Sequence, residues 1–88
     1  MDAERIIARN RRGLDRINVS LVRLIAERDR LVVEIGRAKK RLGLKITDRK
    51  REKAIMDKID RLALHYKVDK KLARRIVKTL IRHAKELQ

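Results

Sequence analysis

The sequence lacks cysteine, proline, phenylalanine and tryptophan, and Tyr66 is its one aromatic residue. Without cysteine, disulfides and thiolate metal sites are excluded. His65 and His83 lie far apart and make no metal-ligand motif, so no metal is expected. There is no Ser–His–Asp set and no phosphate-cradling glycine loop, so an obvious covalent route to catalysis is also missing. A single tyrosine offers no stacking platform for nucleic-acid bases. No apolar run approaches the ~20 residues of a membrane span. The N-terminal MDAERIIARNRR lacks the apolar core of a signal peptide. These absences leave a soluble, cytoplasmic protein as the expectation.

What is present is charge and aliphatic side chain. Charged residues make up 44% and hydrophobic residues 43% of the chain, the balance of a helical sequence with apolar seams. Lysine and arginine number 27 against 12 acidic residues, a net charge of +15. That favours an anionic partner without choosing among nucleic acid, membrane surface and small anions. At 88 residues the chain is one domain, 1–88, with a core that a partner would strengthen.

Residues 3 to about 42 contain no proline and no turn cluster. Leu14, Ile17, Leu21, Leu24, Leu31, Ile35, Ala38 and Leu42 recur at the three-and-four spacing of a helical seam. Gly13 and Gly36 cost the helix up to ~1 kcal/mol each and need not break it. At Gly36 the missing side chain would let another backbone approach. Gly43, after the basic run Arg37, Lys39, Lys40 and Arg41, suits a left-handed C-terminal stop. A helix of this length spans ~60 Å, whereas a compact globule of this size is near ~30 Å across. The helix cannot fit inside its own domain, and its seam is best covered by a second copy. The expected architecture is all-α: one very long helix and two shorter ones, in an intertwined homodimer.

Residues 43–47 read as a loop, with Thr47 or Asp48 as N-cap of a second helix running from about 48 to 66. Its seam is expected through Ile55, Ile59, Leu62 and Tyr66, and backward through Glu52 and Asp48. Asp69 caps a third helix from about 70 to 87. Ala73, Val77, Leu80 or Ile81, and Ala84 form its inner face, which one further turn extends to Gln88.

Polar groups interrupt each seam. Arg28 stands where the first helix calls for an apolar residue, and Lys39 follows three turns later, about 20° round the helix. Glu52 lies on the second seam with Arg51 beside it, and Gln88 on the third. Taken singly, such side chains usually snorkel to water. Taken together they describe a pocket with at least two cations, one acid and one amide. Arg28 and Lys39 can lean toward each other over Val32 and Ile35, leaving room for a small molecule and not a polymer. Arginine forks a carboxylate in bidentate fashion. The set suits a small dianion that also carries a hydroxyl.

The motifs N-R-R-G-L-D-R-I-N, L-I-A-E-R, E-I-G-R-A-K and D-R-K-R-E, spread from Arg11 onward, resemble the all-helical (AroQ) class of chorismate mutase. The resemblance covers the chain to Gln88. It implies an intertwined dimer of three-helix chains that converts chorismate to prephenate on the route to phenylalanine and tyrosine, with no cofactor or metal. It implies that Arg28 holds one substrate carboxylate and Arg11 of the partner subunit the other. Lys39 would bind a carboxylate and the ether oxygen, to which Gln88 donates a second hydrogen bond. Glu52, helped by the region of Asp48, would accept from the ring hydroxyl. Arg51 would orient the site, and Val32 and Ile35 would floor it. Ala84 departs from the pattern, standing where the family often has a small hydroxyl residue near the substrate. Asn10 and Asn18 replace apolar and acidic residues.

Three other readings compete, one of them a non-catalytic regulatory or assembly module that kept the fold. Isochorismate-pyruvate lyase shares the fold and a similar cationic pocket; the Arg51–Glu52 pair favours the mutase. A basic helical dimer binding nucleic acid would use the charge, but it leaves Glu52 and Gln88 on inner faces without a purpose.

Overall fold

The computed structural model describes residues 2–88, which form three helices and no strand among the described residues. Helix α1 spans Ala3–Leu42, α2 Arg49–Tyr66 and α3 Lys70–Leu87. Contacts divide the chain into two units, Met1–Leu31 and Val32–Gln88. None of the helices is long and apolar enough to cross a membrane.

Helix α1 begins where Asp2 Oδ1 accepts from the backbone N–H groups of Glu4 (2.8 Å) and Arg5 (3.2 Å). These are two of the donors that a helix start leaves without partners. The helix ends at Gly43, whose φ of 67° lies in the left-handed region. There Leu44 N donates to Lys39 O (2.9 Å) and Gly43 N to Lys40 O (3.3 Å), the paired bonds of a Schellman stop. Lys39, Lys40 and Arg41 fill the last turn, where the helix dipole favours cations.

In the first unit no described residue is buried. Leu14, Ile17, Leu21, Leu24 and Leu31 are each half or more exposed, so the seam read from the sequence is an open apolar stripe.

The second unit is built on a helical hairpin. Asp48 caps α2, its carboxylate accepting from Arg51 N at 3.0 Å, and Asp69 caps α3 by accepting from Lys71 N at 3.0 Å. Between the helices Lys67 takes φ 57°, unusual for a residue with a side chain, and closes α2 as Gly43 closes α1. Val68 N reaches Ala63 O at 2.9 Å and Lys67 N reaches Leu64 O at 3.3 Å. Two cross-links show that α2 and α3 run antiparallel. Near the turn, Arg74 donates to both carboxylate oxygens of Asp60, each at 2.8 Å. At the far end Lys85 meets Glu52. The Arg74 hydrogen bonds hold the Asp60 carboxyl below its ordinary range against the desolvation that would raise it, and the charges of Arg74, Lys70 and Lys78 act the same way as the hydrogen bonds.

The inner row of α2 differs from the expected seam. Met56 and Ala63 are its most buried residues, while Leu62 and Tyr66 are exposed, Tyr66 at 69%. The row that faces α3 runs through Glu52, Met56, Ile59 and Ala63, steps of four, three and four. The expected row through Leu62 and Tyr66 drifts off that face by the last turn. On α3 the half-buried residues include Ala73, Val77, Leu80, Ile81 and Ala84, as the periodicity predicts.

Candidate active site

Of the sequence-predicted site residues within Val32–Gln88, Gln88 meets Val32 at the end of α3, and Glu52 pairs with Lys85 one turn before that end. Gln88 is the C-cap of α3, with its backbone N–H on Ala84 O at 3.2 Å. Its side chain lies against Gly36 of α1. A Cβ built on Gly36 would stand 2.9 Å from Gln88 Cγ and 3.3 Å from Gln88 Cα. The second of those atoms is backbone, so a larger residue at 36 requires the Gln88 side chain to shift and its backbone to give by a few tenths of an ångström. The glycine is therefore the seat of Gln88, as its flanking place in the seam suggested. One turn back along α1, Val32 is buried, and its carbonyl accepts from Gln88 Nε2 at 3.2 Å.

One turn forward along α1 is Lys39, half-buried, whose Nζ donates to Ile46 O in the 43–47 loop at 2.8 Å. The Gly43 stop folds that loop back so that its carbonyl meets the lysine. An ammonium carries three N–H donors and a primary amide two. Each of these two side chains is thus held by one bond to a backbone carbonyl, with donor capacity beyond it.

On α3, three residues before Gln88, Lys85 faces Glu52 of α2. Its Nζ donates to Oε1 at 3.4 Å and stands 3.1 Å from Oε2. Oε2 is sealed from solvent and carries no directed hydrogen bond. The Lys85 ammonium offsets the cost of withdrawing this oxygen from water. Glu52 and Lys85 form one end of an open groove of about 590 Å³ between α2 and α3 that Met56 and Ile81 also line. Lys39 and Gln88 do not line that groove. Gln88 lies against Gly36 and Val32 of α1, and Lys39 reaches the 43–47 loop.

Asp48 and Arg51 are exposed at the start of α2. The Asp48 carboxylate already serves as the cap, which gives it a structural job at this position. Ala84 is half-buried, and Ile35 is half open to solvent. Arg11 and Arg28 belong to the other unit. Arg11 is exposed on α1, and Arg28 is half-buried. Sequence reasoning missed Lys85. Among 27 basic residues nothing marks it out, although its place one turn before Gln88 and its register with Glu52 in an antiparallel hairpin are a usable signal. Among the described residues no cluster of three or more His, Cys, Asp or Glu side chains is arranged to hold a metal ion.

Two sequence comparisons bear on these residues. The family model for chorismate mutase type II matches residues 10–88. A chorismate mutase from Methanocaldococcus jannaschii is 38% identical over 82 residues, which cover 93% of this chain and 83% of the relative. With the match running through both caps, the Gly36 seat and the α3 terminus, the chain belongs to the chorismate mutase type II family.

Proposed function

We propose that chorismate binds among Lys39, Glu52 and Gln88, and that these side chains drive its rearrangement to prephenate by fixed electrostatics. The chain is an isomerase of the chorismate mutase type. The observation that carries the site assignment is the state of the two donors. Lys39 and Gln88 are each pinned to a backbone carbonyl and keep further N–H groups.

The chemistry needs little else. Within one molecule an ether C–O bond breaks as a C–C bond forms, and no proton has to move. Negative charge grows on the ether oxygen in the transition state. Donors already held in place stabilise that charge without reorganising, and they act more strongly on the transition state than on the ground state. Arg28 and Arg11, the latter from the partner subunit, clamp the two carboxylates and select the folded, reactive conformer. The Glu52 carboxylate, held by Lys85, takes the ring hydroxyl. Arg51 adds positive charge at the start of α2, Asp48 holds that start in place, and Val32 with Ile35 and Ala84 supplies the apolar wall.

The dimer follows from the stripe on α1. Leu14, Ile17, Leu21, Leu24 and Leu31 present a continuous apolar face along a helix of 40 residues. In the second unit Val32, Met56 and Ala63 are the buried hydrophobics, a small core for independent stability. A second copy laid along the stripe covers it and brings Arg11 to the neighbouring site.

The test is loss of chorismate with prephenate identified as product, followed by Lys39→Ala. We expect kcat/KM to fall by about 10²–10³, the cost typical of losing one transition-state donor, with helicity unchanged by circular dichroism. Pyruvate release from isochorismate with no prephenate from chorismate would overturn the reading. So would full activity in both Lys39→Ala and Arg28→Ala.

A further inference from the structure

A pocket for a dianion that contains a carboxylate is electrostatically awkward. Glu52 would repel the two charges the site must attract, and its half-buried position weakens the screening that water would give. The helical hairpin answers this with Lys85. Its Nζ stands 3.1 Å from one Glu52 oxygen and 3.4 Å from the other, and both side chains are about two-thirds withdrawn from solvent, at 30% and 37% exposure. The ammonium thus lies against both carboxylate oxygens and nearer to Oε2, which is itself withdrawn from solvent.

We propose that Lys85 is a positioning residue for Glu52. It neutralises the carboxylate toward the incoming dianion and fixes the orientation in which Glu52 meets the substrate's ring hydroxyl. The inference rests on the assignment of Glu52 made above. Lys85 acts through Glu52 and does not itself touch the substrate; the two side chains line the α2–α3 groove together. Its neighbours are consistent with that role. Ala84, the residue before it, is too short to hold a carboxylate, and Gln88, one turn on, lies against Gly36 and Val32 of α1.

A double-mutant cycle tests this. Lys85→Met keeps the aliphatic stem and the helix propensity, and Lys85→Arg keeps the charge. Both are measured for kcat and KM with chorismate, in the native background and with Glu52→Gln. We expect Lys85→Met to lower kcat/KM by about tenfold, the loss of one charge-assisted partner, and Lys85→Arg to restore most of it. In the Glu52→Gln background the same Lys85→Met change should matter by less than about twofold, because its target is gone. Equal losses in both backgrounds, or no loss in either, overturn the proposal. A loss confined to KM that persists without Glu52 also overturns it, since it would mean direct substrate contact. The Glu52→Gln variant alone separates the two levels. If it turns over like the native protein, the assignment of Glu52 has failed. If it is impaired and the cycle is additive, only the role of Lys85 has failed.

Discussion

In the first 31 residues the side chains of Leu14, Ile17, Leu21, Leu24 and Leu31 stand open, whereas in Val32–Gln88 those of Val32, Met56 and Ala63 are buried. One helix runs through both units, so helix propensity cannot account for the difference. What differs is the company. The second unit has the α2–α3 hairpin and the Gly36 seat to cover its apolar groups, and the first has only its own stripe. Polar exceptions follow the same division. In the second unit Lys39, Glu52 and Gln88 are each held by a named partner. The difference is one of burial: the second unit covers its apolar groups and partners its polar ones, and the first leaves an apolar stripe open.

The largest expected effect breaks the first half of that comparison. Leu24→Asp places a charge in the middle of the stripe, and in a symmetric dimer it does so twice. We expect the dissociation constant of the dimer to rise by ~100-fold or more, since unpaired charges are strongly disfavoured at a buried interface. Sedimentation across a concentration series reads it. An unchanged dimer would show that the stripe is not the interface.

A smaller effect probes the second half, where a helix rule and a site rule conflict. Gly36→Ala should favour α1 by up to ~1 kcal/mol on propensity alone. The new Cβ would meet Gln88 Cα at 3.3 Å and Cγ at 2.9 Å, so Gln88 must move. We expect kcat to fall about tenfold or more, as one transition-state donor is misplaced, while thermal stability holds or rises. Unchanged kcat would mean that the seat does not position Gln88 for the reaction.

The smallest effect belongs to the hairpin turn. Lys67 carries a left-handed backbone that costs a side-chain-bearing residue about 1 kcal/mol or more. Lys67→Gly removes that strain but loosens the unfolded chain. A net gain of roughly 0.5 kcal/mol in denaturant unfolding, with activity unchanged, is expected.

The sequence made much of this legible because the signals were local. Asp48 and Asp69 as caps, Gly43 as a stop and Gly36 as a place of close approach each follow from what one residue type can do with its own backbone. The interrupted seams pointed to Lys39, Glu52 and Gln88 for the same reason. Two features were not legible. The inner row of α2 runs through Met56 and Ala63 and not through Leu62 and Tyr66, because the position of α3 decides which of two overlapping apolar rows is covered. Lys85 was hidden by its abundance of equivalents, and only its register against Glu52 across the hairpin separates it from the other cations. Both misses concern which face a neighbouring helix takes, which is a tertiary fact.

The central claim is that a neutral amide held on Gly36 donates to the ether oxygen as its bond breaks. Gln88→Glu tests it most directly, through the rate of prephenate formation from chorismate between pH 4 and 8. A carboxyl group donates only when protonated, and its ordinary pKa is about 4.3. The account predicts that the variant is strongly impaired at neutral pH and gains activity as the pH falls toward and through that range, while the native protein changes far less. A variant whose activity follows the native pH profile would contradict it.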